Sequence, residues 1–450
     1  MNEKRSKTNY GGKALLPLLL FLVMYVGCGV YFTIVGAPEG IRPFNVMPRY
    51  VPMMIAIIVA LFFYDRKTSF GEKVAVYSEN AGRPGVMQLG LVVLLAGGFS
   101  NACIAIGGSD SMVNLGISFI PSTMLIPGIF VMSAIISTCI GSSMGTLSAM
   151  LPVAFAVTNG AGLNPGMAAA ACLTGAYFGD NLSMISDTTI CATEGVGAKM
   201  KDKFKMNLLI ALSAAIVSVL LYAVLSAGNS TEVTVPGSYN LWTILPYISV
   251  LVMALIGIDV ILVLSGGITL ACIIGLCCRT TDFFTFSQKV SSGMVDMFWV
   301  AVFSMLTSGL VGMIRYYGGV EWMVKKATSL IRGRKSCEYV IGAISVILSG
   351  TILHNTMAIM ILAPIAKEIG SRYNIAPKRL ASLLDIGACL AIMIVPHGMA
   401  VMMVEEQFNC SYLDMMKYNF YPLFLAIAVI ITIQFGLMRT KEEKEAAQKE

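Results

Sequence analysis

The chain has 450 residues, of which 56% are hydrophobic and 12% charged, and its formal net charge is +6. A soluble globular domain carries about 25% charged residues, so this composition excludes a soluble protein and predicts a polytopic α-helical membrane protein. The basic residues lie in loops between apolar runs, so the net charge indicates membrane topology rather than nucleic-acid binding.

The first half of the chain begins with a basic segment that precedes its first apolar run. This segment holds Lys4, Arg5, Lys7 and Lys13, which places the N-terminus in the cytoplasm. The pattern predicts spans at 14–36, 48–64 and 86–106, a hairpin at 121–158, a broken span at 165–190 and a span at 204–227. The two apolar runs of the hairpin are shorter than the roughly 20 residues that a span needs, so we expect it to re-enter on the same side.

The second half repeats this order with an offset of 212 residues. The pattern predicts spans at 241–257 and 259–278, a span at 294–314, a hairpin at 339–366, a broken span at 380–404 and a last span at 418–437. Residues of the same type recur at the offset in four pairs, namely Ser137 with Ser349, Pro152 with Pro364, Pro165 with Pro377, and Gly175 with Gly387. Few positions match, so charge has to decide whether the repeat is real.

The loops beside the two hairpins differ in charge. Residues 107–166 contain no Lys or Arg, whereas the second hairpin is flanked by Lys325, Lys326, Arg332, Arg334 and Lys335 before it and by Lys367, Arg372, Lys378 and Arg379 after it. By the positive-inside rule, the first hairpin enters from outside and the second from the cytoplasm. The two copies are therefore predicted to be inverted.

These observations predict an all-α polytopic membrane protein with two inverted repeats, residues 1–235 and 236–450. Each repeat has five transmembrane helices, one re-entrant hairpin and one broken helix. Inverted repeats whose broken helices meet near the midplane are typical of secondary transporters, which bind their substrate at the repeat interface.

The broken span of the first repeat carries the most polar stretch at predicted bilayer depth. It places Asp180, Asn181, Ser183, Asp187 and Thr188 between two apolar runs. Polar groups are expensive there and favour a functional interpretation, although a polar loop between two helices remains an alternative. The glycines nearby, Gly175 and Gly179, are expected to loosen the helix and free backbone carbonyls for a cation.

The second repeat has polar breaks at the corresponding places. Its hairpin tip holds His354, Asn355 and Thr356, opposite Ser142 and Ser143 of the first hairpin. Its broken span holds Asp385 and His397. An intramembrane histidine is usually a packed, hydrogen-bonded residue. Both histidines of the chain fall at breaks, however, so a functional role and a packing role both remain open for them.

Two stretches resemble a known family. Gly175-Ala-Tyr-Phe-Gly-Asp-Asn-Leu-Ser-Met-Ile-Ser-Asp-Thr-Thr189 is similar to the signature of NhaC-type sodium/proton antiporters of the ion transporter superfamily, and Ile375-Ala-Pro-Lys-Arg-Leu-Ala-Ser-Leu-Leu-Asp385 is similar to a second stretch common there. The commonest form has Lys-x-Ser-Pro after Gly-Asp, where this chain has Asn181 to Met184. The family includes sodium-coupled carriers of amino acids or organic acids, so this departure leaves the exchanged substrate open.

Na⁺/H⁺ exchange is the leading functional hypothesis. Hard cations prefer oxygen ligands, and Asp180, Asp187, Ser183 and Thr188 are the predicted ligands of Na⁺. Because burial and like charge both disfavour two ionised carboxylates, such a pair would hold protons or sodium in competition.

A Na⁺-coupled carrier of an amino acid or carboxylate is the alternative, with His354, His397 and Asn355 binding the solute. An intramembrane aspartyl protease is a third reading, but an inverted repeat serves no purpose in that chemistry, so no enzyme is expected. The predicted partners are Na⁺, H⁺ and the lipid bilayer of a bacterial cytoplasmic membrane, with both termini cytoplasmic. No cofactor and no nucleic acid are expected, and a homodimer is left open.

Overall fold

The fold is entirely helical over the residues that the computed structural model describes, which are 9–39, 41, 43–111, 114, 121–184, 186–228, 239–256 and 258–439. Within these ranges, six helices are long and apolar enough to cross a membrane, and four shorter apolar helices accompany them. The predicted all-α, multi-pass membrane protein is confirmed.

The helices are numbered here in chain order over the described residues. Those of the first half are α1 (Leu16–Val35), α2 (Tyr50–Phe62), α3 (Phe70–Ala81), α4 (Pro84–Ala105), α5 (Ser122–Ile140), α6 (Ser143–Gly160), α7 (Pro165–Leu182), α8 (Asp187–Val196) and α9 (Met200–Gly228). Those of the second half are α10 (Leu241–Leu255), α11 (Val260–Cys277), α12 (Phe283–Tyr316), α13 (Gly319–Thr328), α14 (Arg334–Ile352), α15 (Asn355–Arg372), α16 (Pro377–Ile392), α17 (Met399–Phe408), α18 (Tyr412–Met416) and α19 (Phe420–Phe435).

The helix bounds themselves repeat. The hairpin helices α5 and α6 and the short helix α8 each begin and end 212 residues before α14, α15 and α17, as in 355 − 143 = 212. The turn between the hairpin helices also repeats, since Gly141 and Leu353 both adopt the left-handed conformation, with φ of 73° and 57°. The relative inversion of the two copies stays a prediction, and the predicted boundary at 235 and 236 lies outside the described residues.

Glycines bring each broken helix close to its hairpin. A Cβ on Gly175 would lie 2.3 Å from the carbonyl oxygen of Phe130, and one on Gly387 would lie 2.9 Å from that of Gly342. Both distances are too short for a side chain, and small residues at such interfaces let membrane helices approach closely. Gly175 and Gly179 lie inside the regular helix α7, so the expectation that they loosen it is wrong; they serve packing.

Some predicted segments change length in the structure. The stretch from Asp65 to Gly85, between the predicted spans 48–64 and 86–106, contains the helix α3. The Ser69 hydroxyl caps its N-terminus by accepting from the backbone N–H of Glu72. In the first half Pro84 separates α3 from α4, because proline interrupts a helix. Asp296 occupies the matching position in the second half, and α12 runs unbroken from Phe283 instead of beginning near 294. The second hairpin extends beyond both predicted ends, to 334–372, and the first extends beyond its predicted C-terminal end, to 160.

Candidate functional site

The first broken helix places Asp180 in its last turn. Helix α7 ends at Leu182 and α8 begins at Asp187, so Asp180 and Asp187 lie on either side of the break. The Ser186 hydroxyl donates to Asp180 Oδ1 at 2.7 Å and shares a hydrogen bond of 2.9 Å with the Thr188 hydroxyl. Asp180 and Thr188 are therefore joined through a serine that was not among the predicted site residues.

A buried ion pair joins this break to the second repeat. Lys203 lies in the first turn of α9 and Asp385 in the middle of α16, and their side chains are only 1% and 0% exposed. The Lys203 ammonium lies 2.5 Å from Asp385 Oδ2. It also donates to the Asn181 carbonyl oxygen at 2.8 Å and to the Thr189 hydroxyl at 2.6 Å. A buried charge pair is tolerated only where further hydrogen bonds support it, and this one has them.

Asn207 completes the cluster from one turn further along α9. Its amide nitrogen donates to Asn181 Oδ1 at 2.5 Å and to Asp385 Oδ2 at 3.1 Å, with a longer bond of 3.4 Å to the Asn181 carbonyl oxygen. We call Asp180, Asn181, Lys203, Asn207 and Asp385 the central cluster. All five side chains are buried, and they come from both halves of the chain.

The predicted pairing of Asp180 with Asp187 is not formed. The charges that act on Asp180 are those of Asp385 and Lys203. Asp187 is exposed on the first turn of α8, because the break turns the chain before it. The predicted sodium ligands are thus divided: Asp180 and Thr188 are close, Ser183 is buried at the end of α7 with its N–H bonded to the Gly179 carbonyl at 2.9 Å, and Asp187 lies apart.

The two hairpin tips contact different parts of the site. Ser142 caps α6 by accepting from the Gly145 N–H at 3.1 Å, and the neighbouring Ser143 hydroxyl bonds to Asp180. In the second hairpin His354, Asn355 and Thr356 are half-buried.

The second tip has a basic environment. The charges that act on His354 are those of Arg83, Asp187 and Arg315. Arg83 also lies against the first turn of α15, with its guanidinium 3.4 Å from Met357 Sδ. The acidic charge that acts on the second tip is thus that of Asp187, which is not part of the central cluster.

The second break, between α16 and α17, holds His397 in a packed position. Its ring is buried, with its centroid 5.7 Å from that of Phe21 in an edge-to-face contact, and the backbone of Gly350 is its other neighbour. The ring contact with Phe21 favours a packing role, but neither ring nitrogen has a hydrogen-bond partner among the described residues. A second ion pair involves α17, where the half-buried Arg49 has its Nη2 3.1 Å from Oε2 of the buried Glu405, and sequence reasoning missed it.

Lys203 and Asn207 were also missed, although one signal pointed to them. Lys199, Lys201, Lys203 and Lys205 together indicated only a cytoplasmic loop. Residues four apart share one face of a helix, so Lys203 and Asn207 form a polar pair at the start of a long apolar helix. That pairing distinguishes Lys203 from its basic neighbours.

The comparisons with known proteins give the family of the chain. The family model of the Na⁺/H⁺ antiporter family matches residues 43–227 and 231–439, which is most of the chain. The chain belongs to the Na⁺/H⁺ antiporter family. The predicted family is confirmed, and membership in a transporter family accords with the expectation that the chain is not an enzyme.

Relatives within the Na⁺/H⁺ antiporter family have low identity but long coverage. The chain is 24% identical to the Na⁺/H⁺ antiporter NhaC of Bacillus subtilis, over 87% of this chain and 92% of the relative. It is 22% identical to NhaC of Alkalihalophilus pseudofirmus, over 75% of this chain and 79% of the relative. It is also 22% identical to the malate-2H⁺/Na⁺-lactate antiporter of Bacillus subtilis, over 80% and 84%.

Proposed function

We propose that this protein exchanges Na⁺ for H⁺ across the bacterial cytoplasmic membrane by alternating access, with the central cluster as its ion site. The observation that carries this proposal is the buried Lys203–Asp385 pair, with Asp180 beside it, at the junction of the two repeats. Ionisable groups buried within a membrane protein are costly and mark ion or proton pathways.

The cluster has the chemistry that the exchange requires. Carboxylate, amide and hydroxyl oxygens are the ligands that hard cations prefer. A carboxylate that binds a proton loses its attraction for Na⁺, so the two ions compete for Asp180 and Asp385. Each broken span consists of a longer helix and a short one, because the break separates α7 from α8 and α16 from α17. We propose that these short segments move when access changes from one side to the other.

The experiment is transport by the purified protein in lipid vesicles that contain a pH-sensitive dye. A sodium gradient should change the internal pH, and potassium at the same concentration should not. Asp180→Asn and Asp385→Asn should each abolish the signal, since both changes keep the side-chain size and remove the negative charge. Exchange at the normal rate in both variants would contradict the assignment of the site.

A second candidate function is Na⁺-coupled carriage of an organic carboxylate. The observation that favours it is that the charges of Arg83 and Arg315 act on His354, beside the single acidic charge of Asp187. The name of one relative, a malate-2H⁺/Na⁺-lactate antiporter, points to the same class of solute. Adding malate, lactate or arginine to the vesicle assay decides between the two, because a solute carrier needs the solute for sodium movement and an Na⁺/H⁺ exchanger does not.

We further propose that both termini face the cytoplasm and that the exchange requires no resident cofactor. No nucleic-acid partner is expected. A homodimer stays a prediction, which cross-linking in native membranes would test.

A further inference from the structure

The Lys203 ammonium occupies a cradle of three oxygens. These are Asp385 Oδ2 at 2.5 Å, the Thr189 hydroxyl at 2.6 Å and the Asn181 carbonyl oxygen at 2.8 Å. They come from three elements, α16, α8 and the last turn of α7. A carboxylate, a hydroxyl and a main-chain carbonyl that converge on one point form an oxygen site for a singly charged cation.

We propose that this cradle is the seat of the transported Na⁺, and that Lys203 is a tethered cation which Na⁺ must displace. The inference deepens the proposed function and rests on it, since it presupposes that Na⁺ is transported. It adds which oxygens hold the ion and what competes with it.

Two features of the cradle are independent of the lysine. The first is Asp385 Oδ1, which is buried and has no hydrogen-bond partner among the described residues. It is a fourth oxygen at the cradle, available to a cation that takes more ligands than the ammonium does. The second is the Asn181 carbonyl, one of the last four carbonyls of α7, which lack partners within their own helix. The negative end of the helix dipole also favours a cation there.

The lysine is suited to the part of a displaceable occupant. Its ammonium is a compact charge on a flexible four-carbon stem, so it can leave the cradle without moving the backbone of α9. A competitor that is attached to the site acts at an effective concentration of about millimolar or above. Lys203 therefore sets the sodium concentration at which the cradle fills, and the affinity for Na⁺ is lower than the oxygens alone would give.

The test measures binding of radioactive sodium to the purified full-length protein at one fixed pH. Lys203→Met removes the tethered cation and keeps an unbranched side chain, so we expect sodium binding to tighten by about tenfold or more. Removing any nearby positive charge could also tighten binding, so the variant alone is not decisive. Lys205→Met, which removes an exposed charge on the same helix, serves as the charge control and should leave the affinity within about twofold of the original.

The decisive step removes an oxygen from the cradle in the Lys203→Met background. Thr189→Val should weaken sodium binding by about tenfold, because the cradle loses one of its ligands. Thr193→Val is the matched control, since Thr193 is equally buried on α8 but its hydroxyl bonds only to backbone carbonyls of its own helix, at 2.8 and 3.1 Å. Equal sodium affinities in the two double variants would overturn the cradle.

A further variant covers the case in which Lys203→Met does not fold. Lys203→Arg keeps the charge, and its guanidinium holds a carboxylate with two parallel hydrogen bonds, so it should be harder to displace and should weaken sodium binding by about tenfold. Unchanged affinity in this variant would also overturn the proposal.

Failure of the proposed function looks different from failure of this inference. If vesicles with the unaltered protein show no sodium-dependent change in pH, the exchange itself is wrong. If exchange is present but the cradle variants bind sodium as the unaltered protein does, only the seat is wrong.

Discussion

Replacing Asp385 with asparagine separates the stability of the central cluster from its transport. The substitution leaves Lys203 buried, with the Asn181 carbonyl and the Thr189 hydroxyl as acceptors but without its direct counter-charge. Breaking a buried pair by removing one partner costs about 3–5 kcal/mol. Because two hydrogen bonds remain and Asp180 is close enough for its charge to interact with Lys203, we expect about 3 kcal/mol, the lower end of that range.

The double variant Asp385→Asn with Lys203→Met tests this calculation. Replacing both partners of a buried pair with neutral groups is often close to neutral, so the double variant should be more stable than Asp385→Asn alone. Equilibrium unfolding in mixed detergent micelles measures the stability, and the vesicle assay measures the exchange. We expect stability to return while exchange stays absent, because the carboxylate is still missing.

Asp187→Asn is the control for this series. Asp187 is exposed, and surface substitutions usually change stability by no more than about 0.5 kcal/mol. A double variant less stable than Asp385→Asn alone would refute the reasoning, as would an Asp385→Asn variant that exchanges at the normal rate.

Three further predictions concern topology, competition and the second break. A cysteine in place of Asn159 should label from outside and one in place of Asn374 only from the cytoplasm, and labelling of both from one side would contradict the inversion. Raising the external proton concentration should weaken the apparent Na⁺ affinity by up to about tenfold per pH unit at unchanged maximal rate, whereas an affinity that is flat with pH but strengthened by a carboxylate would indicate a solute carrier. Replacing His397, which is packed against Phe21, with glutamine should leave the pH profile of exchange unchanged, and a shifted profile would show that this histidine titrates during transport.

The helical fold was largely predictable because apolar length acts over whole segments. A hairpin of two short apolar runs around Gly141 predicts a turn, and the structure has a left-handed residue there. Helix ends were less predictable, since Arg334 and Lys335 look like loop residues but belong to the first turn of α14. Charged residues can continue a helix beyond its apolar segment, and composition alone does not show where it stops.

The site was only half predictable because its contacts join distant parts of the chain. Asp180 and Asp385 could be named from their places in the two broken spans, but the sequence gave no reason to pair Asp385 with Lys203. The break separates Asp187 from Asp180, because two carboxylates seven residues apart share a face only while the helix continues. Lys203 was hidden among lysines that mark topology, and only its helical partner Asn207 distinguishes it.

The two repeats share the helix geometry around the site but not its charged residues. Asn207 donates to the Asn181 carbonyl oxygen at 3.4 Å, and Asn419, 212 residues later, donates to the Met393 carbonyl oxygen at 2.8 Å, so both broken helices have the same amide cap.

The charged residues do not follow this symmetry. The positions that match Lys203 and Asp180 in the second repeat are Met415 and Ile392, and the position that matches Asp385 in the first is Leu173. One copy thus contributes a lysine and an aspartate, and the other contributes a single aspartate to the same cluster. The proposed ion site lies between two breaks that share one geometry, so opening either break would expose it to one side of the membrane. One central cluster between two matching breaks therefore fits the proposed alternating access at a single site.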